Sequence, residues 1–234
     1  MRFTYKIKII CALYLSVLSL IGQAQAPGPE VVKKYRIYKQ QVKKDSLHTM
    51  RELKTVDSSL VYDLAYASNH NFTGQKLYEQ GEHTYLRQAP ALALKEVQET
   101  LKKQGLGLQI FDAYRPFHVT QKMWELIKDE RYVADPSKGS GHNRGLSVDL
   151  TLVDLKTGKE LNMGTGFDHF TDTAHHNFTA LPAEVLKNRK LLKELMEKQG
   201  FRALSTEWWH YSWPNDRNYP LLDIRFREFR KSNG

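Results

Sequence analysis

The chain has 234 residues, of which 41% are hydrophobic and 26% charged, a balance that supports one substantial core and excludes a disordered or fibrous chain. Its formal charge is +9 and its single cysteine is Cys11. A disulfide framework is therefore excluded, and beyond that residue so is any thiolate nucleophile or zinc-thiolate site.

Residues 1–26 read as a cleaved secretory signal. Arg2, Lys6 and Lys8 make a positive start, and Ala24-Gln25-Ala26 carries small residues at the spacing a signal peptidase accepts. Between them residues 9–21 form an apolar run, shorter than the roughly 20 residues that span a bilayer. The expected mature chain is exported, to the periplasm, with no stable membrane anchor. Subtracting those three cations from +9 leaves it at +6. Its lysines are spread over helix-like stretches without interleaved aromatics, so solvated helix faces are expected and a nucleic-acid partner is not.

Residues 27–58 are polar, basic and weakly helical, an arm expected to pack loosely on a domain of residues 59–234. Residues 59–66 alternate as a strand does, and 69–74 supply a turn. Residues 89–104 have helical periodicity and stop at Gly105. A short apolar strand over 106–111 follows, then a helix over 120–131 with Trp124 and Leu126 as core candidates. Glycine, proline and serine make 135–145 a loop. Over 146–152 the pattern is a strand again, with Leu146, Val148, Leu150 and Leu152 on one face and Ser147, Asp149 and Thr151 on the other. A polar loop over 162–176 ends in His175 and His176, expected as a surface pair. An amphipathic helix over 183–198 stops at Gly200, and a last strand lies near 207–212. No regular strand-helix repeat is present, which predicts an α+β fold: one compact domain, its mainly antiparallel central sheet flanked by helices.

Two segments concentrate groups that zinc accepts, Ser140 to Asp149 and Glu207-Trp208-Trp209-His210. His142, Asp149 and His210 make a three-ligand set that leaves the fourth tetrahedral position open, as a catalytic zinc requires. His142 and Asp149 are seven residues apart and Glu207 and His210 three. On straight strands such odd spacings point to opposite faces, so a turn at Gly145 and a bend before His210 are expected. Trp208, Trp209 and Trp213 are expected to wall the site. Glu207 is the candidate general base for water, and Arg115, its backbone biased to extended forms by Pro116, the candidate cation for charge building on a carbonyl oxygen. Each residue has a plainer use: Glu207 as a salt-bridge partner of Arg144 or Arg202, and Arg115 as one of Asp112.

In chain order, Asn71-Phe72-Thr73-Gly74, Asp112-Ala113-Tyr114-Arg115-Pro116, Ser140 to Asp149, Met163 to Asp168 and Glu207 to His210 together resemble the D-alanyl-D-alanine dipeptidases, zinc enzymes among the peptidoglycan-cleaving D-Ala-D-Ala metallopeptidases. The resemblance implies one zinc per chain on His142, Asp149 and His210, Glu207 as base, and Arg115 stabilising the transition state. It also implies Ser140 and Asp168 near the charged ends of a small peptide, D-Ala-D-Ala. Carboxypeptidase or endopeptidase action on longer peptidoglycan stems is the alternative within the enzymes. A non-catalytic wall-binding module is the alternative outside them, and it has no need of Glu207.

Overall fold

The computed structural model describes residues 28–79 and 81–230; the predicted signal segment and Cys11 lie outside them. In chain order the regular elements begin with β1 (Val31–Val32), α1 (Tyr35–Lys44), β2 (Met50–Glu52), α2 (Leu53–Val56) and β3 (Val61–Tyr62). Next come β4 (Tyr85–Arg87), α3 (Gln88–Lys102), β5 (Leu106–Asp112), α4 (Phe117–Leu126), α5 (Gly141–Arg144) and β6 (Ser147–Asp154). The chain closes with α6 (Ala183–Lys198), β7 (Arg202–Ala203), β8 (His210–Ser212), β9 (Leu221–Leu222) and α7 (Phe226–Arg230).

The central sheet has the order β3-β5-β6-β8-β7. Its β5–β6, β6–β8 and β7–β8 pairings are antiparallel, and β3–β5 is parallel, so the sheet is mixed with antiparallel pairing prevailing. A parallel β1–β9 pair and an antiparallel β2–β4 pair stand beside it. The expected α+β class is the one found.

Strand β6 is the hub. Its leucine face is sealed: Val148, Leu150 and Leu152 are fully buried with Leu94, Val97 and Leu101 of α3 and Leu192 and Met196 of α6. Each such side chain contributes about 1.5–3 kcal/mol relative to exposure. That anchorage fixes the opposite face, on which Ser147 and Asp149 stand.

The arm is more than a loose appendage. Tyr38 of α1 is buried against Phe229 of α7, with ring centroids 5.2 Å apart, and its hydroxyl accepts the Met50 N–H at 2.8 Å. Tyr35, Tyr38 and Val42 are spaced i, i+3, i+7 and all pack on the second core cluster. No helix among the described residues is long and apolar enough to cross a membrane.

Several elements differ from expectation. Only Val61–Tyr62 pairs within 59–66, and the chain then leaves the sheet in a 3-10 turn at Ala65–Ala67. The helix expected over 120–131 begins at Phe117, directly after Pro116, and ends at Leu126 because Ile127 is extended. Leu126 is exposed, so Val119 and Met123 take the core positions instead. The 135–145 loop contains the one-turn helix α5, and the last strand starts at His210, with Glu207 in the preceding turn.

Candidate active site

Helix α5 opens on a capping box. Ser140 Oγ accepts the His142 N–H at 3.2 Å, and Asn143 Oδ1 accepts the Ser140 N–H at 3.0 Å, which satisfies donors that a helix start leaves unpaired. Gly145 then turns the chain at φ +70, a left-handed backbone that glycine adopts without the Cβ penalty. The turn returns the chain to β6, so His142 ends beside Asp149. The bend expected before His210 is the turn at Trp208 and Trp209, and beyond it Asp149 and His210 are direct cross-strand partners in the β6–β8 register. Side chains so paired share one face of the sheet.

The structure thus brings His142, Asp149 and His210 together. His142 Nε2 lies 3.2 Å from His210 Nδ1 and 3.3 Å from Asp149 Oδ2, and His210 Nδ1 lies 2.9 Å from Asp149 Oδ1. The outer nitrogens decide what this means. His142 Nδ1 is 2.8 Å from the Ala113 carbonyl oxygen, which can only accept. Nδ1 therefore carries the hydrogen, and in the neutral ring Nε2 turns a lone pair toward His210 and the carboxylate. Two imidazole nitrogens and a carboxylate converging in a buried space offer three donors that one cation can share. Two donors each about 2.0–2.1 Å from one tetrahedral zinc are roughly 3.3 Å apart, close to the separations found. The donor set fits a metal.

Around it the charges are arranged in order. Burial alone pushes Asp149 up, but the facing His142 and His210 rings hold it well below the usual carboxylate range. Glu207, its Oε2 3.9 Å from His210 Nδ1, is pushed by burial up to about 7. Arg115 donates from Nε and Nη2 to Asp112 Oδ2 at 2.9 and 2.7 Å, and its guanidinium lies 5.0 Å over the Tyr66 ring. Burial opposes the charge, but Asp112 together with Tyr66, Tyr78 and Asp149 outweighs it and keeps that guanidinium charged. Arg115 Nη2 is also 3.9 Å from Asp149 Oδ2, so it belongs to the site as well as to its partner. Asp112 is fixed from its other side by Tyr78, whose hydroxyl donates to Oδ1 at 2.6 Å.

His142, Asp149, His210, Glu207 and Arg115 line one cavity of about 240 Å³, which also takes in Ser140, Asp168, Trp209 and Tyr66. Asp168 accepts from the Tyr66 hydroxyl at 2.9 Å and sits at φ +56, and burial pushes its carboxyl well up. All seven residues expected at the site meet there. Of the three tryptophans only Trp209 faces the cavity. Trp208 is core and donates to Thr165 Oγ1 at 2.8 Å, and Trp213 packs on Phe201. The plainer partners of Glu207, Arg144 and Arg202, are engaged elsewhere: Arg144 binds the Tyr219 carbonyl, and Arg202 stands exposed on β7. His175 and His176 are half-buried rather than a surface pair; the His176 N–H donates to the Ser205 carbonyl at 3.0 Å. Tyr66 and Tyr78 were missed, since nothing local ties either to carboxylates 102 and 34 residues away.

Residues 45–232 match the peptidase M15 family, described as D-ala-D-ala dipeptidase. The chain is 36% identical over 178 residues to the D-alanyl-D-alanine dipeptidase of Escherichia coli (strain K12), covering 76% of this chain and 91% of that one. It is 32% identical to the protein of that name from Enterococcus faecalis (strain ATCC 700802 / V583), over 70% of this chain and 91% of the relative. A third, from Enterococcus faecium, is 35% identical over 68% of this chain and 88% of its own length.

Proposed function

The chain belongs to the peptidase M15 family of D-Ala-D-Ala dipeptidases, metal-dependent peptidases, and on that footing we propose that it hydrolyses D-Ala-D-Ala with one zinc held by His142, Asp149 and His210. The observation that carries this reading is the convergence of the Asp149 carboxylate with two imidazole nitrogens, 2.9–3.3 Å apart, inside a cavity lined by Glu207. When bound, zinc supplies the positive charge that acidifies a water and polarises the scissile carbonyl.

The remaining chemistry falls to this chain's side chains. Glu207, with a carboxyl near 7, is matched to neutral pH both for taking a proton from water and for returning it to the departing amine. Arg115 is held by Asp112 and Tyr66, so its charge waits where the carbonyl oxygen turns negative and needs no reorganisation at that moment. Asp168 suits the substrate ammonium. The Ser140 hydroxyl accepts from the backbone and still has its own hydrogen to give to a carboxylate. A cavity of about 240 Å³ suits a dipeptide better than a cross-linked stem. With the predicted export signal, the enzyme would act outside the inner membrane, where recovery of wall-derived D-alanine is the natural role.

Replacing Glu207 by Gln keeps size and polarity and removes the base. Zinc content of the purified variant should equal wild type, while D-Ala-D-Ala hydrolysis falls by about 10²–10⁴. Normal hydrolysis by Glu207→Gln would remove Glu207 from the mechanism. Turnover of a pentapeptide stem as fast as the dipeptide would replace the dipeptidase reading with a carboxypeptidase one.

A further inference from the structure

The two histidines are backed by different groups. His142 Nδ1 faces the Ala113 carbonyl, which permits only one tautomer. His210 Nε2 faces a hydroxyl, Ser212 Oγ, at 2.9 Å, and that oxygen lies 2.7 Å from Ser147 Oγ. A hydroxyl can donate as well as accept, so by itself Ser212 leaves the His210 tautomer open. What Ser212 does with its own hydrogen decides the matter.

The register explains why these groups meet. Asp149 pairs with His210 across β6 and β8, and Ser147 pairs with Ser212 two residues along both strands. Side chains two apart on a strand share a face, so a ligand pair and a hydroxyl pair form one four-residue patch. Helix α5 closes over it at Gly141. A Cβ on that residue would stand 2.0 Å from Ser147 Oγ and 3.6 Å from Ser212 Oγ. The glycine thus leaves room for a fully buried serine hydroxyl directly beneath the helix that carries His142.

We propose that Ser212 and Ser147 are positioning residues for His210: Ser212 accepts the Nε2–H and passes its own hydrogen to Ser147, which leaves the Nδ1 lone pair for the metal. Outer partners of this kind fix ring orientation and raise the basicity of the ligand nitrogen. The inference rests on the metal reading given above, because an imidazole with no ion to bind has no need of a chosen tautomer. Ser212 and Ser147 touch no reacting atom, so their effect belongs to metal binding.

The test is zinc affinity of the full chain, measured by competition with a chromophoric chelator, alongside thermal unfolding of the metal-free protein. Ser212→Ala should weaken zinc binding by about 10–100-fold without lowering the metal-free melting temperature. Ser147→Ala should lose less, because it acts through Ser212. The double variant should bind no more weakly than Ser212→Ala alone, as residues in one chain of hydrogen bonds are not additive. Ser212→Thr, which restores the hydroxyl, should recover most of the affinity. Wild-type zinc affinity in Ser212→Ala would overturn the proposal, and so would a lower metal-free melting temperature with zinc affinity intact. If wild type takes up no zinc, the metal reading itself fails and takes this inference with it.

Discussion

Arg87 and Arg115 are both buried, but they are compensated in opposite ways. Arg87 donates from Nε to the Arg144 carbonyl at 2.9 Å and from Nη1 to the His48 carbonyl, its guanidinium lies 4.9 Å from the Tyr219 ring, and Nη2 has no hydrogen-bond partner among the described residues. Burial pushes it down to about 10. Arg115 instead meets a carboxylate, and Asp112 keeps it fully charged. A cation held by neutral carbonyls fastens chain segments together. A cation held by a carboxylate on one side and open to a cavity on the other keeps its field for a ligand. Arg87 ties the arm to the end of α5; Arg115 serves the space that α5 lines.

One substitution made at both places tests that division. Lysine keeps the charge but loses the planar fork that gives two donors to one oxygen and stacks on a ring. Arg115→Lys should lower dipeptide hydrolysis by about 10²–10³, the range for removing one preorganised donor. Its unfolding midpoint should stay near wild type, because Asp112 still has a cation beside it. Arg87→Lys should do the reverse. Losing a carbonyl anchor should cost about 1–3 kcal/mol of stability, near 2–4 °C of melting temperature per kcal/mol for a domain this size. Turnover by the folded fraction should stay close to wild type. If Arg115→Lys proves as active as wild type, Arg115 is a second fastener and the contrast collapses.

How much of this was legible in the sequence depended on how local the signal was. The helix over Ala183–Lys198 matches its expected bounds, because its apolar stripe is local and Gly200 stands just past its end. The metal donors were legible as residue types in two short segments. Their convergence was expected from ligand chemistry and resemblance, but the means was not legible, because the Asp149–His210 pairing is a strand register between residues 61 apart. Helix α5 had a local signal that was passed over: Ser140 and Asn143 stand at capping-box spacing inside a stretch whose glycines read as loop. Arg87 and Arg189, like Tyr38 in a basic arm, look solvated by composition, and only the fold shows that the chain closes over them.

Arg189 extends the contrast and carries the smallest expected effect. Like Arg87 it is buried on carbonyls, donating to Met163 O at 2.7 Å and to Thr173 O at 2.9 Å, and its Nη2 lacks a hydrogen-bond partner among the described residues. Its charge should therefore be felt by a neighbour. His176, whose Nε2 also lacks a hydrogen-bond partner among the described residues, is lowered to about 4, first by burial and then by the charges of Lys193 and Arg189. Since the folded value lies below the unfolded one of about 6.5, the unfolded chain gains this proton first as pH falls. The stabilisation is fully present above 6.5 and is lost between about 6.5 and 4. A drop of that size is worth about 3.4 kcal/mol at full burial, and partial exposure of the ring discounts this to about 1–2 kcal/mol. Urea midpoints at pH 7 and pH 5 should therefore diverge more in wild type than in His176→Phe, which keeps the ring against Tyr211 and removes the titration. Parallel midpoints in the two proteins would mean that His176 is not depressed in the folded chain, and that neither its burial nor the charges of Lys193 and Arg189 act on it as described.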